Sequence, residues 1–178
     1  MKKYYIFDLD GTLADSMGYW YGHFPLEGVP NEQRMEEICR IMYRNYAEVI
    51  QPKPGAVELL EHLKAAGAVM CIASATDKPV SQPFMEKYGL NRFFRFYLDC
   101  TEAGARKDKP DIYLEAARRL GADISDCVVV EDAAYCAETA QNAGFFVVGI
   151  YDKNTAPRGN VADFCDIFIT KLADFPEL

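Results

Sequence analysis

No stretch of this chain approaches the roughly 18–20 consecutive apolar residues of a membrane-spanning helix, which predicts a protein that does not enter the bilayer. No Lys/Arg block relieves its acidity either: 27 Asp and Glu stand against 19 Lys and Arg, a formal net charge of -8. A broad nucleic-acid or anionic-membrane surface is therefore not expected, because such partners share the protein's sign. A small basic pocket for an anionic ligand remains compatible with the composition. The start of the chain reaches an acid at Asp8, before the apolar stretch that a secretory signal needs. The six cysteines (Cys39, Cys71, Cys100, Cys127, Cys136, Cys165) contain no CxxC pair, and several sit in apolar runs, where a free thiol acts as a small hydrophobe. A reduced, cytoplasmic protein without a disulfide framework is expected.

What is present is ample core material. Half of the 178 residues are hydrophobic and 13% are aromatic, too much for a disordered chain and enough for one domain, or one domain with a small insert. Short apolar runs at residues 4–7, 68–73, 94–98, 127–130, 145–150 and 166–169 read as strands. Their continuity suggests burial on both faces, as in a parallel sheet. Amphipathic segments separate them. Residues 55–66 place Val57, Leu59, Leu60 and Leu63 on one side and stop at Gly67; residues 79–88 run from Pro79 to near Gly89; residues 110–120 run from Pro110 to Gly121; residues 133–143 end at Gly144. This alternation predicts an α/β fold with a doubly wound, mostly parallel sheet.

Residues 14–54 break the rhythm. An aromatic, Gly- and Pro-rich stretch (16–30) is followed by one long amphipathic segment (31–50) carrying Met35, Ile38, Met42, Tyr46 and Val49 near helical spacing. The organisation expected is an α/β core of residues 1–13 and 55–178, with a small helical insert at 14–54 after the first strand.

Ligands of open α/β sheets bind at the carboxyl ends of the strands. There the chain places Asp8-Leu9-Asp10-Gly11-Thr12, Ser74-Ala75-Thr76, Lys107 and Glu131-Asp132. Asp8 and Asp10 are two apart, so on an extended chain both point the same way. Like charges held close favour an intervening cation, and a hard divalent ion such as Mg²⁺ takes oxygen ligands, with Asp132 able to complete the set. One Asp could then attack phosphorus while the other handles the proton of the leaving oxygen. Ser74 and Lys107 could hold the phosphoryl oxygens.

The run Ile6-Phe7-Asp8-Leu9-Asp10-Gly11-Thr12-Leu13-Ala14-Asp15-Ser16 resembles the first motif of the haloacid dehalogenase-like hydrolases. Ser74 after its strand resembles their second motif, Lys107 their third, and Val-Val-Val-Glu131-Asp132 their fourth, all in order. The pattern is similar to the phosphoglycolate phosphatase and β-phosphoglucomutase branch, which inserts a helical cap after the first motif, here in shortened form. The resemblance implies a Mg²⁺-dependent phosphatase acting on a small phosphorylated metabolite through an aspartyl-phosphate. Asp8 would be the nucleophile and Asp10 the general acid/base. The metal would be held by the Asp8 side chain, the Asp10 backbone carbonyl and Asp132, with Glu131 beside it; Ser74 and Lys107 would hold phosphate. The chain departs from the family where Asp108 follows Lys107 in place of Pro, which makes Lys109 a rival phosphate lysine, and where Ala133 and Cys136 replace the usual Ser and Gly. A phosphomutase with the same covalent step, and a non-catalytic phospho-acceptor, are the competing readings. His23 and His62 read as packing and surface residues.

Overall fold

The computed structural model describes residues 2–178; Met1, the first residue of the expected core segment 1–13, lies outside them. Six strands form one all-parallel sheet: β1 (Tyr4–Phe7), β2 (Val69–Ser74), β3 (Phe94–Asp99), β4 (Cys127–Glu131), β5 (Phe146–Ile150) and β6 (Ile167–Ile169), in the order β3-β2-β1-β4-β5-β6. Each coincides with an apolar run to within one residue. The helices are α1 (Met17–Trp20), α2 (Arg34–Glu48), α3 (Ala56–Ala65), α4 (Lys78–Lys87), α5 (Cys100–Ala103), α6 (Asp111–Leu120) and α7 (Ala134–Asn142). Single turns of 3-10 helix fill several connections. The short α5 falls below the length at which periodicity can be read.

The period-2 alternation of each strand sorts its side chains between two hydrophobic clusters. Tyr5, Phe7, Val128 and Val130 face one cluster with Leu60, Leu63 and Phe84; Ile6, Cys127 and Val129 face the other with Ile112, Ala116 and Ala137. The sheet is thus covered by α3 and α4 on one side and by α6 and α7 on the other. A fully buried side chain such as Ile6 or Phe7 contributes about 2 kcal/mol on leaving water, which is why continuous apolar runs become the central strands.

The 14–54 segment does not carry a core of its own. Met42 and Tyr46 on α2, and Ile50 beyond it, are fully buried in the same cluster as Phe7 and Phe84. The Tyr46 and Phe84 rings meet edge-on at 6.1 Å. Lys87 Nζ donates to the carbonyl oxygens of Ala47 (3.2 Å) and Glu48 (3.1 Å), groups left without intrahelical partners at the end of α2. Tyr88 donates to the Ile50 carbonyl at 3.3 Å. Helix α2 is therefore seated on α4.

Strand order reverses at β1, whose neighbours are β2 on one side and β4 on the other. The Asp8 N–H donates to the Val130 carbonyl at 3.0 Å, carrying the ladder one residue past β1. The carboxyl ends of β1 and β4 consequently open side by side, at the point where a doubly wound sheet forms its crevice.

Candidate active site

Asp8 is the first residue beyond β1, Glu131 the last of β4, and Asp132 the next. One carboxylate oxygen from each lies within 4.8 Å of the others, and all three side chains are buried. Lys107, on the loop before α6 and only 3% exposed, reaches into this cluster: its Nζ donates to Asp8 Oδ1 at 2.6 Å and pairs with Glu131. Tyr113, on α6, donates to Glu131 Oε1 at 2.7 Å. Asp132 Oδ2 accepts from the Thr155 hydroxyl at 2.6 Å, and its Oδ1 from Thr12 at 3.4 Å. Thr155 is itself held by Asp152, whose Oδ1 accepts from the Asn154 and Thr155 amides at 2.8 and 3.1 Å. Asp152 is in turn paired with Lys53 at 2.8 Å. Lys109 is exposed, so the lysine at the acids is Lys107.

Three carboxylates thus face one ammonium. Burial, opposed by Lys107 and reinforced by the Glu131 and Asp132 charges, raises the Asp8 pKa well above the usual carboxylate value. Burial and the neighbouring Glu131 push Asp132 up to about 7. Burial works against the Lys107 ammonium, but the charges of Asp8 and Glu131 outweigh it and hold its pKa well above the usual lysine value. Asp8 Oδ2 is buried with no hydrogen-bond partner among the described residues. An orphaned anionic oxygen in an excess of buried carboxylates is the donor set of a hard divalent cation, and the triad Asp8, Glu131 and Asp132 is a candidate metal site. The turn after β1 makes room for it. Gly11 adopts φ +87°, and a Cβ there would stand 2.1 Å from Asp132 Oδ2, so only glycine fits.

The Asp10 side chain is not part of the triad. On an extended chain it would have pointed with Asp8, but strand β1 ends at Phe7 and the chain turns at 9–14, with Leu13 and Ala14 N–H both donating to the Leu9 carbonyl. The Asp10 carboxyl group is received elsewhere. Its Oδ1 accepts from Ser16 Oγ (2.6 Å), Trp20 Nε1 (3.3 Å) and the Tyr46 hydroxyl; its Oδ2 accepts from Thr76 Oγ1 (2.7 Å). A metal contact from Asp10 is therefore left to its backbone.

Asp8, Asp10, Lys107, Glu131 and Asp132 border one cleft of about 510 Å³. Trp20, Tyr21 and Met35 from the insert and Tyr135 from α7 form its outer walls, and Arg106 joins them. Ser74 is fully buried at the end of β2, where its Oγ accepts from the Thr76 N–H at 3.0 Å. Ala75, Thr76 and Asp77 line the cleft there, and Ser74 stands behind them. Sequence reasoning gave no site role to Thr76, Tyr46, Tyr113 or Thr155. Thr76 lies two residues past the end of β2, where the strand-end rule had put it without a role; Tyr46 and Tyr113 carry no signal beyond their place in amphipathic stripes, and Thr155 lies in an unpatterned loop. Among the described residues no helix is long and apolar enough to cross a membrane.

The sequence profile of the haloacid dehalogenase-like hydrolases matches residues 30–144. A haloacid dehalogenase-like hydrolase domain-containing protein of Arabidopsis thaliana is 34% identical over 137 residues, 72% of this chain and 43% of that protein, so the chain spans less than half of that relative's length. Hexitol phosphatase A of Escherichia coli is 29% identical over 192 residues, 90% of this chain and 88% of the enzyme. Among solved structures, CbbY of Rhodobacter sphaeroides in complex with phosphate superposes with a TM-score of 0.82 at 19% identity, covering 98% of this chain and 96% of that one, a likeness of fold. The profile match takes in more than half of the chain, and its relatives include phosphatases: the protein belongs to the haloacid dehalogenase-like hydrolase family.

Proposed function

We propose that this protein is a Mg²⁺-dependent phosphatase that hydrolyses a small organic phosphate monoester through an aspartyl-phosphate on Asp8. The observation that carries this reading is the buried Lys107–Asp8 pair of 2.6 Å, set among Glu131 and Asp132 with the second Asp8 oxygen unpartnered. A carboxylate so placed is a nucleophile held beside the positive charge that a phosphoryl group needs.

In this reading the carboxylates of Asp8 and Asp132 and the backbone carbonyl of Asp10, with Glu131 beside them, hold Mg²⁺, whose charge offsets their mutual repulsion and draws in the phosphate dianion. Lys107 neutralises charge on Asp8 and on the phosphoryl oxygens. Ser74 supports the phosphate through the turn that presents Ala75 and Thr76 to the cleft. An Asp8 oxygen forms the bond to phosphorus as the ester oxygen departs, and Asp10 gives that oxygen a proton. Asp10 then takes a proton from the water that cleaves the aspartyl-phosphate, releasing phosphate and restoring Asp8. Residues 14–54 act as a reduced cap over the core of 1–13 and 55–178, its aromatic side chains forming the wall nearest the leaving group. CbbY of Rhodobacter sphaeroides has been crystallised with phosphate and with xylulose-1,5-bisphosphate, which supports a small phosphorylated metabolite as the partner here. The cytoplasm is the proposed location.

The test is phosphate release from p-nitrophenyl phosphate and a panel of phosphorylated metabolites, with Mg²⁺ and with EDTA. Turnover that needs Mg²⁺ and falls at least ~100-fold in Asp8→Asn is expected. Turnover that survives both EDTA and Asp8→Asn overturns the mechanism.

A further inference from the structure

The Asp10 carboxyl group is held asymmetrically. Three donors, Ser16, Trp20 and Tyr46, converge on Oδ1, whereas among the described residues Oδ2 meets only the Thr76 hydroxyl. All three Oδ1 donors come from residues 14–54, and Tyr46 comes from the last turn of α2, 36 residues away in sequence. We propose that Tyr46, oriented by Trp20, is a positioning residue for Asp10: the inserted helix fixes Oδ1 as the oxygen that only accepts hydrogen bonds and leaves Oδ2 as the oxygen that carries the transferable proton. The proposal rests on the reading of Asp10 as general acid/base.

The direction of the hydrogen bonds follows from the chemistry of the donors. An indole N–H can only donate, and a phenol has one hydrogen. Trp20 Nε1 lies 3.0 Å from the Tyr46 hydroxyl and 3.3 Å from Asp10 Oδ1. The Tyr46 oxygen therefore accepts from Trp20, and its single hydrogen is left for Asp10. Burial, helped by the Asp10 charge, raises the Tyr46 pKa well above the usual tyrosine value, so the phenol remains a donor. A carboxyl oxygen offers two lone pairs, and the Ser16 and Tyr46 hydrogens fill both, with the Trp20 N–H shared between Oδ1 and the Tyr46 oxygen; a proton added to Oδ1 would face them. Thr76 can donate or accept, so Oδ2 can gain and lose its proton while the hydroxyl turns to follow. The ring of Tyr46 is packed against Phe84 and its helix is tied to Lys87, which gives the contact a fixed base on the core.

The experiment separates positioning from simple packing by the leaving group. An alkyl phosphate ester needs a proton on its departing oxygen; p-nitrophenolate departs without one. Since kcat/KM reports the enzyme through release of the first product, Tyr46→Phe is expected to lower kcat/KM for the best alkyl phosphate about 10-fold or more, the scale of a hydrogen bond to a charged group. For p-nitrophenyl phosphate kcat/KM is expected to change less than about 3-fold. Trp20→Phe keeps an aromatic wall and removes the N–H, and is expected to give the same split at smaller size; it decides the matter if Tyr46→Phe does not fold. Equal losses on both esters, or no loss on either, overturn the proposal. Asp10→Asn, measured in parallel, identifies where a failure lies. If it shows the leaving-group split and Tyr46→Phe does not, the positioning role is wrong and the reading of Asp10 stands. If it shows no split, the reading of Asp10 itself has failed.

Discussion

Lys107 Nζ sits 2.6 Å from Asp8 Oδ1, with both side chains almost closed off from solvent. The two residues lie 99 positions apart in sequence and meet because one follows β1 and the other precedes α6, on the same edge of a parallel sheet. Replacing Lys107 by Met leaves Asp8 and Glu131 buried without their shared cation. Breaking a buried pair from one side costs about 3–5 kcal/mol, so Lys107→Met should unfold at much lower urea concentration and lose at least ~100-fold in turnover. Lys109→Met, at an exposed position, should change stability by no more than about 0.5 kcal/mol. Urea titration and phosphate release on both variants check the pair.

Gly11 is where the first motif meets the metal carboxylate. A methyl group there would overlap Asp132 Oδ2 at 2.1 Å, and φ is +87°. Gly11→Ala should destabilise the fold by more than ~1 kcal/mol, the cost of a left-handed position alone, and should weaken Mg²⁺ binding because Asp132 must move. Chemical denaturation measures the first effect, and calorimetric titration with Mg²⁺ the second.

The acids of the site make the metal-free protein sensitive to pH. Folding raises Asp8 well above the usual aspartate value, and Asp132 to about 7. Between the unfolded value near 4 and about 7 the folded chain holds protons that the unfolded chain has released. The contribution of Asp132 to stability is complete below the unfolded pKa and is lost as pH rises through about 7; that of Asp8 acts in the same direction. In EDTA, the urea midpoint should therefore fall between pH 5.5 and pH 8, and Asp132→Asn should flatten that fall. Mg²⁺ at 100 times its dissociation constant should restore about 2.7 kcal/mol at pH 8. A midpoint that rises with pH in EDTA would contradict the assignment of these groups.

Strands β1 and β4 were legible because both faces of each are covered, so residues 4–7 and 127–130 read as unbroken apolar runs. Once they were placed in a parallel sheet, the strand-end rule brought Asp8, Glu131, Asp132 and Lys107 to one edge, where the structure has them. The same rule placed Asp10 at the cleft, but the two-residue alternation misdirected its side chain, because it assumed an extended chain where the backbone turns. Tyr46 was hidden for a different reason. Its ring supplies an ordinary member of the apolar stripe on α2, and only its hydroxyl belongs to the site. Thr155 lies in a loop after β5, where no periodicity exists to read, and its position depends on the Asp152 turn.

Covalent chemistry on Asp8 is measured most directly by mass spectrometry of enzyme quenched in acid during turnover of p-nitrophenyl phosphate with Mg²⁺. A phosphoryl adduct should appear on the peptide carrying Asp8. It should accumulate in Asp10→Asn, which lacks the base for its hydrolysis, and be absent from Asp8→Asn. Full turnover without an adduct in Asp10→Asn, or an adduct that persists in Asp8→Asn, would contradict an aspartyl-phosphate at this site.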